Sequence, residues 1–191
     1  VSEAFMEAWH SIVTHPQILP YTGDANTRYS MWGDHANLAL TPFGLPSPHL
    51  AADNLSEDDI IAAFSRTSGR SASLEGRKLN DGETARTAMA ETNRANYLDA
   101  LGYDSSDISD SEMLDAFTYN IFPNLSPWGG FVPNIVYRWR PWPDQNATLM
   151  EVRLKCASLP PNNPGPPSPN GARWARCSIR TWKTFPMCRK A

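Results

Sequence analysis

Cysteine is scarce in this chain: three in 191 residues, Cys156, Cys177 and Cys188. They form no CxxC and no Cys-x-His pair, which excludes an iron–sulfur cluster held within the chain by the usual four-ligand patterns. An odd, scattered set points to free thiols in a reducing compartment, hence a cytoplasmic location. Long apolar runs are also missing. None approaches the ~20 residues of a membrane-spanning helix, and no basic segment followed by an apolar one marks a secretory signal. The net charge of -3 offers no basic field for nucleic acid. Acids are absent from residues 157–191, which carry six basic residues, while residues 1–156 hold 11 basic and 20 acidic ones. The chain opens on Val1 in text that already reads as helix, so we expect a segment of a longer protein whose N-terminal part is absent.

What is present fits one domain of ordinary size with a proper core, at 41% hydrophobic residues. In residues 2–15, Phe5, Met6, Trp9, Ile12 and Val13 recur at helical steps, and Pro16 ends the run. "TRYSMWG" and "HANLALTPFG" read as two strands of a hairpin joined at Gly33-Asp34. Ser56 followed by three acids opens a helix. Residues 83–101 form another, stopped by Gly102. "SDSEMLDAFTYNIFPN" begins with a cap and runs into a short strand at 119–122. "GGFVPNIVYRWRPW" and "ATLMEVRLKC" alternate as strands around a turn, "RPWPDQN". Mixed helices and hairpin-spaced strands predict an α+β fold with an antiparallel sheet. Residues 1–156 are expected to be the domain; 157–191, with seven of the 17 prolines, read as a proline-rich, basic, poorly ordered tail.

The stretch with chemical content is "EAFMEAWHSIVTHP", residues 3–16. On an ideal helix His10 and His15 would point about 140° apart and could not share a ligand. Pro16 forbids a regular helix at His15, so its ring can swing back toward the face of His10. Two neutral imidazoles could then meet one cation, iron, zinc, copper or nickel alike. The plain alternative is two histidines near a helix end by chance. His35 and His49 take the ordinary reading of surface or hydrogen-bonded structural residues.

"EAFMEAWHSIVTHPQILPYTGDANT" resembles the iron-binding segment of the Rieske-type aromatic-ring-hydroxylating dioxygenases, in the C-terminal catalytic domain of the large (α) subunit. The resemblance continues through "GDHANLALTPFGLPSPHL", "FPN" at 122–124 and "VYRWRPWPDQNATLMEV", about residues 2–154 in all. Ala4 stands where Asn is often found and Trp9 where Tyr is usual. The resemblance implies a helix-grip (Bet v 1/START-like) arrangement around an apolar cavity. It also implies a mononuclear Fe(II) on a 2-His-1-carboxylate triad of His10, His15 and Asp144, which leaves positions open for dioxygen. Read without it, Asp144 is a turn aspartate. Glu7, three residues before His10, matches an acidic residue, usually Asp, that bonds a ligand histidine and links the iron to a neighbouring subunit's Rieske cluster; its plain alternative is a solvated helix glutamate. Met6, Trp9, Ile12, Val13, Phe117, Asn120 and Phe122 are the candidate substrate pocket, though each alone reads as ordinary core.

The implied activity is insertion of dioxygen into an aromatic ring. Electrons would come from a Rieske [2Fe-2S] centre absent from this chain, fed by ferredoxin and reductase partners. A homo-oligomer based on trimers, or an α–β complex, is implied as well, with neither nucleic acid nor membrane as partner. Two other functions stay open: a metal-free helix-grip module that binds an apolar small molecule, and zinc hydrolysis with Glu7 as base.

Overall fold

The computed structural model describes residues 2–50, 55–68, 74, 77–131, 135–154, 180–181 and 185–186. It is an α+β fold built on an open antiparallel sheet. The strands are β1 (Arg28–Trp32), β2 (Ala36–Thr41), β3 (Ala116–Ile121), β4 (Leu125–Gly129), β5 (Ile135–Pro141) and β6 (Ala147–Leu154). They lie side by side in chain order, each antiparallel to the next. Two-residue strands β7 (Arg180–Thr181) and β8 (Phe185–Pro186) pair along the far side of β6. The predicted tail thus contributes two short strands; its other residues lie outside the described set.

The helices are α1 (Ala8–Thr14), α2 (Glu57–Ser68), α3 (Ala85–Leu101) and α4 (Asp110–Leu114), the last three inserted between β2 and β3. Local chemistry sets their ends. Ser56 and Asp59 exchange bonds at the start of α2: the Ser56 hydroxyl donates to Asp59 at 2.7 Å and accepts from its N–H at 3.2 Å. Thr84 caps α3, and Gly102 ends it in the left-handed conformation at φ 63°. Ser109 and Glu112 form a capping box on α4. No helix among the described residues is long and apolar enough to cross a membrane.

The single helix expected over residues 2–15 is in fact two pieces. A 3-10 turn, Ser2–Phe5, gives way to an extended Glu7 at φ -132°, and α1 starts after it. Strand β3 begins three residues earlier than the sequence indicated, and β4 was not anticipated because Pro127 and two glycines interrupt its pattern.

The main apolar cluster lies among α2, α3, α4 and the 3-10 segment Pro16–Tyr21, where Tyr21, Ile60, Ile61, Phe64, Met89 and Leu114 pack together. One charged pair ties this cluster to the sheet. Arg86 of α3 reaches Asp115, the residue between α4 and β3, and the Phe43 carbonyl just after β2.

Candidate functional site

Strand parity decides which side chains meet the N-terminal segment. In the register of β1 to β5, Tyr29, Ala39, Thr118, Trp128 and Tyr137 share one face. Those side chains, with Ala4–Glu7, His10, Ser11 and His15, enclose a cavity of about 240 Å³. Ile18, Thr22, Asp24, Thr27, Thr41, Phe43 and Ala116 complete the lining.

His10 and His15 are brought together at this cavity. Glu7 caps α1, its two carboxylate oxygens accepting from the His10 backbone N–H at 3.1 and 3.2 Å. At the other end Pro16 breaks the helix: His15 leaves it at φ -127°, ψ 50°, while its N–H still donates to the Ser11 carbonyl at 3.0 Å. That bend turns the second imidazole back. The ring centroids stand 4.8 Å apart with planes at 71°. The Gln17 side-chain nitrogen lies 3.4 Å from His15 Nδ1, and the Phe5 ring stacks on His10 at 5.6 Å. Burial pushes the His10 imidazole below its ordinary value, and His15 adds to this against the opposing charge of Glu7. A neutral ring is the form that binds a metal.

The carboxylate does not follow. Asp144 is exposed at the tip of the β5–β6 hairpin, where its Oδ1 accepts from the Asn146 N–H at 2.8 Å in a local turn. It does not line the cavity. Among the described residues no three His, Cys, Asp or Glu side chains come together as a metal site. Of the three expected ligands, the structure brings together the two imidazoles alone. Glu7 bonds the backbone of His10, so its contact with the histidine is a helix cap in place of the ring contact that the resemblance implies.

Of the expected pocket residues, Met6 lines the cavity. Trp9 and Val13, 71% and 74% exposed, face outward. Ile12 is half-buried outside the lining. Phe117 lies on the opposite face of β3 from Thr118, packed over Gly129. Asn120 shares the parity of Thr118 without reaching the cavity, and Phe122 is 68% exposed at the β3–β4 turn beside the His35 ring. One error accounts for Phe117: without β4 and β2 in place, the sequence does not say which face of β3 is inward.

Residues that sequence reasoning missed are Phe5, Asp24, Tyr29, Thr118, Trp128 and Tyr137. Phe5, Tyr137 and Trp139 form a ring cluster with centroids 5.1 to 5.9 Å apart, and Trp128 meets Tyr137 edge to face. Burial raises the Tyr137 phenol; burial, then the Glu7 charge, raises that of Tyr29. The lining contains two carboxylates, Glu7 and Asp24, and neither lysine nor arginine. Asp24 is 3% exposed, and neither of its carboxylate oxygens has a hydrogen-bond partner. The alternation of "TRYSMWG" could have flagged Tyr29; nothing local marks Asp24, whose burial is a tertiary fact.

A scan against protein-family models, a search of curated proteins and a search of solved structures each return no match.

Proposed function

We propose that this chain is the catalytic domain of a non-haem iron ring-hydroxylating oxygenase, a cytoplasmic enzyme acting on an aromatic substrate. The observation that carries the reading is the imidazole pair, His10 and His15, converging at 4.8 Å on the wall of a ring-lined cavity. On this reading the two histidines hold a mononuclear Fe(II), which when bound supplies the dioxygen chemistry. The chain's own part is to hold and orient. Glu7 and Pro16 fix the two ends of α1 and so aim the rings. Phe5, Trp128 and Tyr137 offer flat apolar surface to a ring, with the N-terminal segment and the sheet gripping the cavity between them. The carboxylate that would complete a facial triad is not supplied by Asp144 where the hairpin stands, so no step is assigned to it. Electrons would come from a Rieske [2Fe-2S] centre outside this chain, through ferredoxin and reductase partners, in an oligomer.

The second reading is a metal-free module that binds a small molecule. The absence of a three-donor cluster among the described residues favours it. Anaerobic Fe(II) titration separates the two. The oxygenase reading expects one equivalent bound, with His10→Ala and His15→Ala each weakening binding at least tenfold. Asp144→Ala should leave it within twofold. Iron binding that is absent, or indifferent to both histidines, would leave the metal-free module. Loss on Asp144→Ala alone would mean that the β5–β6 hairpin folds over the site when metal arrives.

A further inference from the structure

The cavity wall has one feature that neither a bare hydrocarbon ring nor a metal at His10 and His15 accounts for. Asp24 is almost fully buried, and both its Oδ1 and its Oδ2 lack hydrogen-bond partners; so does the hydroxyl of Thr22, 2% exposed, two residues earlier and also in the cavity lining. Among the described residues the ion-pair partner of Asp24 is His49, whose Nε2 lies 3.8 Å from Oδ2, beyond hydrogen-bond reach, on a side chain 51% exposed to solvent. A buried polar group without a partner costs about 1–3 kcal/mol, and more when charged. Such a carboxylate therefore calls for a donor that arrives with a ligand.

The rest of the wall says what kind of donor. Two carboxylates and no lysine or arginine line the space, which disfavours an anionic ligand. Phe5, Trp128 and Tyr137 give aromatic surface, and aromatic faces attract organic cations as well as rings. A primary ammonium group has three N–H donors and no acceptor. Asp24 Oδ1, Asp24 Oδ2 and Thr22 Oγ1 are three acceptor atoms that are buried and unpartnered.

We propose that the cavity takes a small protonated amine carrying an aromatic ring, its ammonium group bound at Asp24 and Thr22 and its ring among Phe5, Trp128 and Tyr137. This narrows the aromatic substrate of the oxygenase reading to an amine-bearing one. It rests on that reading only for what happens to the ring afterwards, since binding needs no metal.

The test is calorimetric titration of the full chain, with metal chelated, against three compounds of similar size: benzylamine at a pH where it is charged, benzyl alcohol and benzoate. The expected result is benzylamine bound at least tenfold more tightly than benzyl alcohol, with benzoate weakest. Asp24→Asn should abolish the preference for benzylamine over benzyl alcohol measured on the same variant. Thr22→Val should weaken benzylamine by a smaller factor, and it serves as a second readout should Asp24→Asn fold poorly. Benzyl alcohol or benzoate binding as well as benzylamine, a preference that survives both substitutions, or no binding by any of the three overturns the proposal. Fe(II) titration of the same preparations keeps the two ideas apart. Iron bound without amine preference removes only the ligand class, and amine preference without iron removes only the oxygenase reading.

Discussion

Arg86 grips Asp115 with two parallel bonds, Nη1 to Oδ1 at 2.6 Å and Nη2 to Oδ2 at 2.9 Å. The same carboxylate accepts from the Phe43 N–H at 3.0 Å and the Ser111 hydroxyl at 2.6 Å, while Arg86 also donates to the Phe43 carbonyl at 2.7 Å. Asp115 is 2% exposed. The pair thus joins α3, the end of β2 and the start of β3, the strand that carries Thr118 to the cavity. The Asp115 bonds lift the arginine above its ordinary range, against the cost of burial.

Removing one partner strands the other. Asp115→Ala should cost about 2–3 kcal/mol, toward the lower end for a buried ion pair because the Arg86 guanidinium is only half-buried, though it and a backbone N–H lose their acceptor. Urea unfolding reads this directly. A loss below about 1 kcal/mol would mean that solvent reaches the arginine and the pair is peripheral.

Gly44 lies against the same arginine. Its φ is +78°, and a Cβ built there would stand 2.7 Å from Arg86 Cα. Gly33, at the β1–β2 turn, has φ +58° and open space around it. Gly33→Ala should therefore cost only the left-handed backbone term, about 1–2 kcal/mol. Gly44→Ala adds a backbone clash, with typical overpacking of about 1–3 kcal/mol more. Equal losses for the two variants, compared by thermal unfolding, would show that α3 yields freely at this contact.

Glu7 acts first as a cap. Glu7→Ala should lower stability by about 1 kcal/mol, the usual worth of an N-terminal cap. Glu7→Gln keeps an acceptor oxygen and should lose less. Both variants remove a negative charge near Tyr29, so that phenol should titrate closer to its ordinary value of 10.0 in an ultraviolet pH titration. An unmoved Tyr29 titration in both would separate Glu7 from the cavity rim.

The helix caps give the acid side of stability a definite sign. Bonds from Ser56 hold the Asp59 carboxyl below its ordinary 3.8, and bonds from Ser109 hold Glu112 below 4.5. A carboxyl whose folded value is depressed adds stability above its unfolded value and loses it as pH falls through the folded one. Unfolding free energy should therefore decline below about pH 4.5, and the double variant Asp59→Asn, Glu112→Gln should show a shallower decline. An identical slope in parent and variant would place the acid sensitivity elsewhere.

The β1–β2 and β5–β6 hairpins and the capped helices were readable along the chain because their signals are local: Gly33 in a turn, Ser56 before three acids, Ser109 three residues before Glu112, Gly102 after a helical run. The bend at His15 was readable too, since Pro16 removes the helical option for its neighbour. Asp144 shows where that reach ends. Its sequence neighbourhood suits both a turn and a ligand, and only the position of the hairpin separates the two.

By itself the sequence determined helices α2 to α4, the β1–β2 and β5–β6 hairpins, and that two imidazoles could be drawn together, because caps, alternation and proline act within a few residues. Tertiary structure decided which face of each strand is inward, so that Thr118 meets the cavity and Phe117 does not. It also decided that Asp24 is buried on the cavity wall with both oxygens unpartnered. Parity and burial depend on what covers a residue, and here the covering segments come from tens of residues away along the chain.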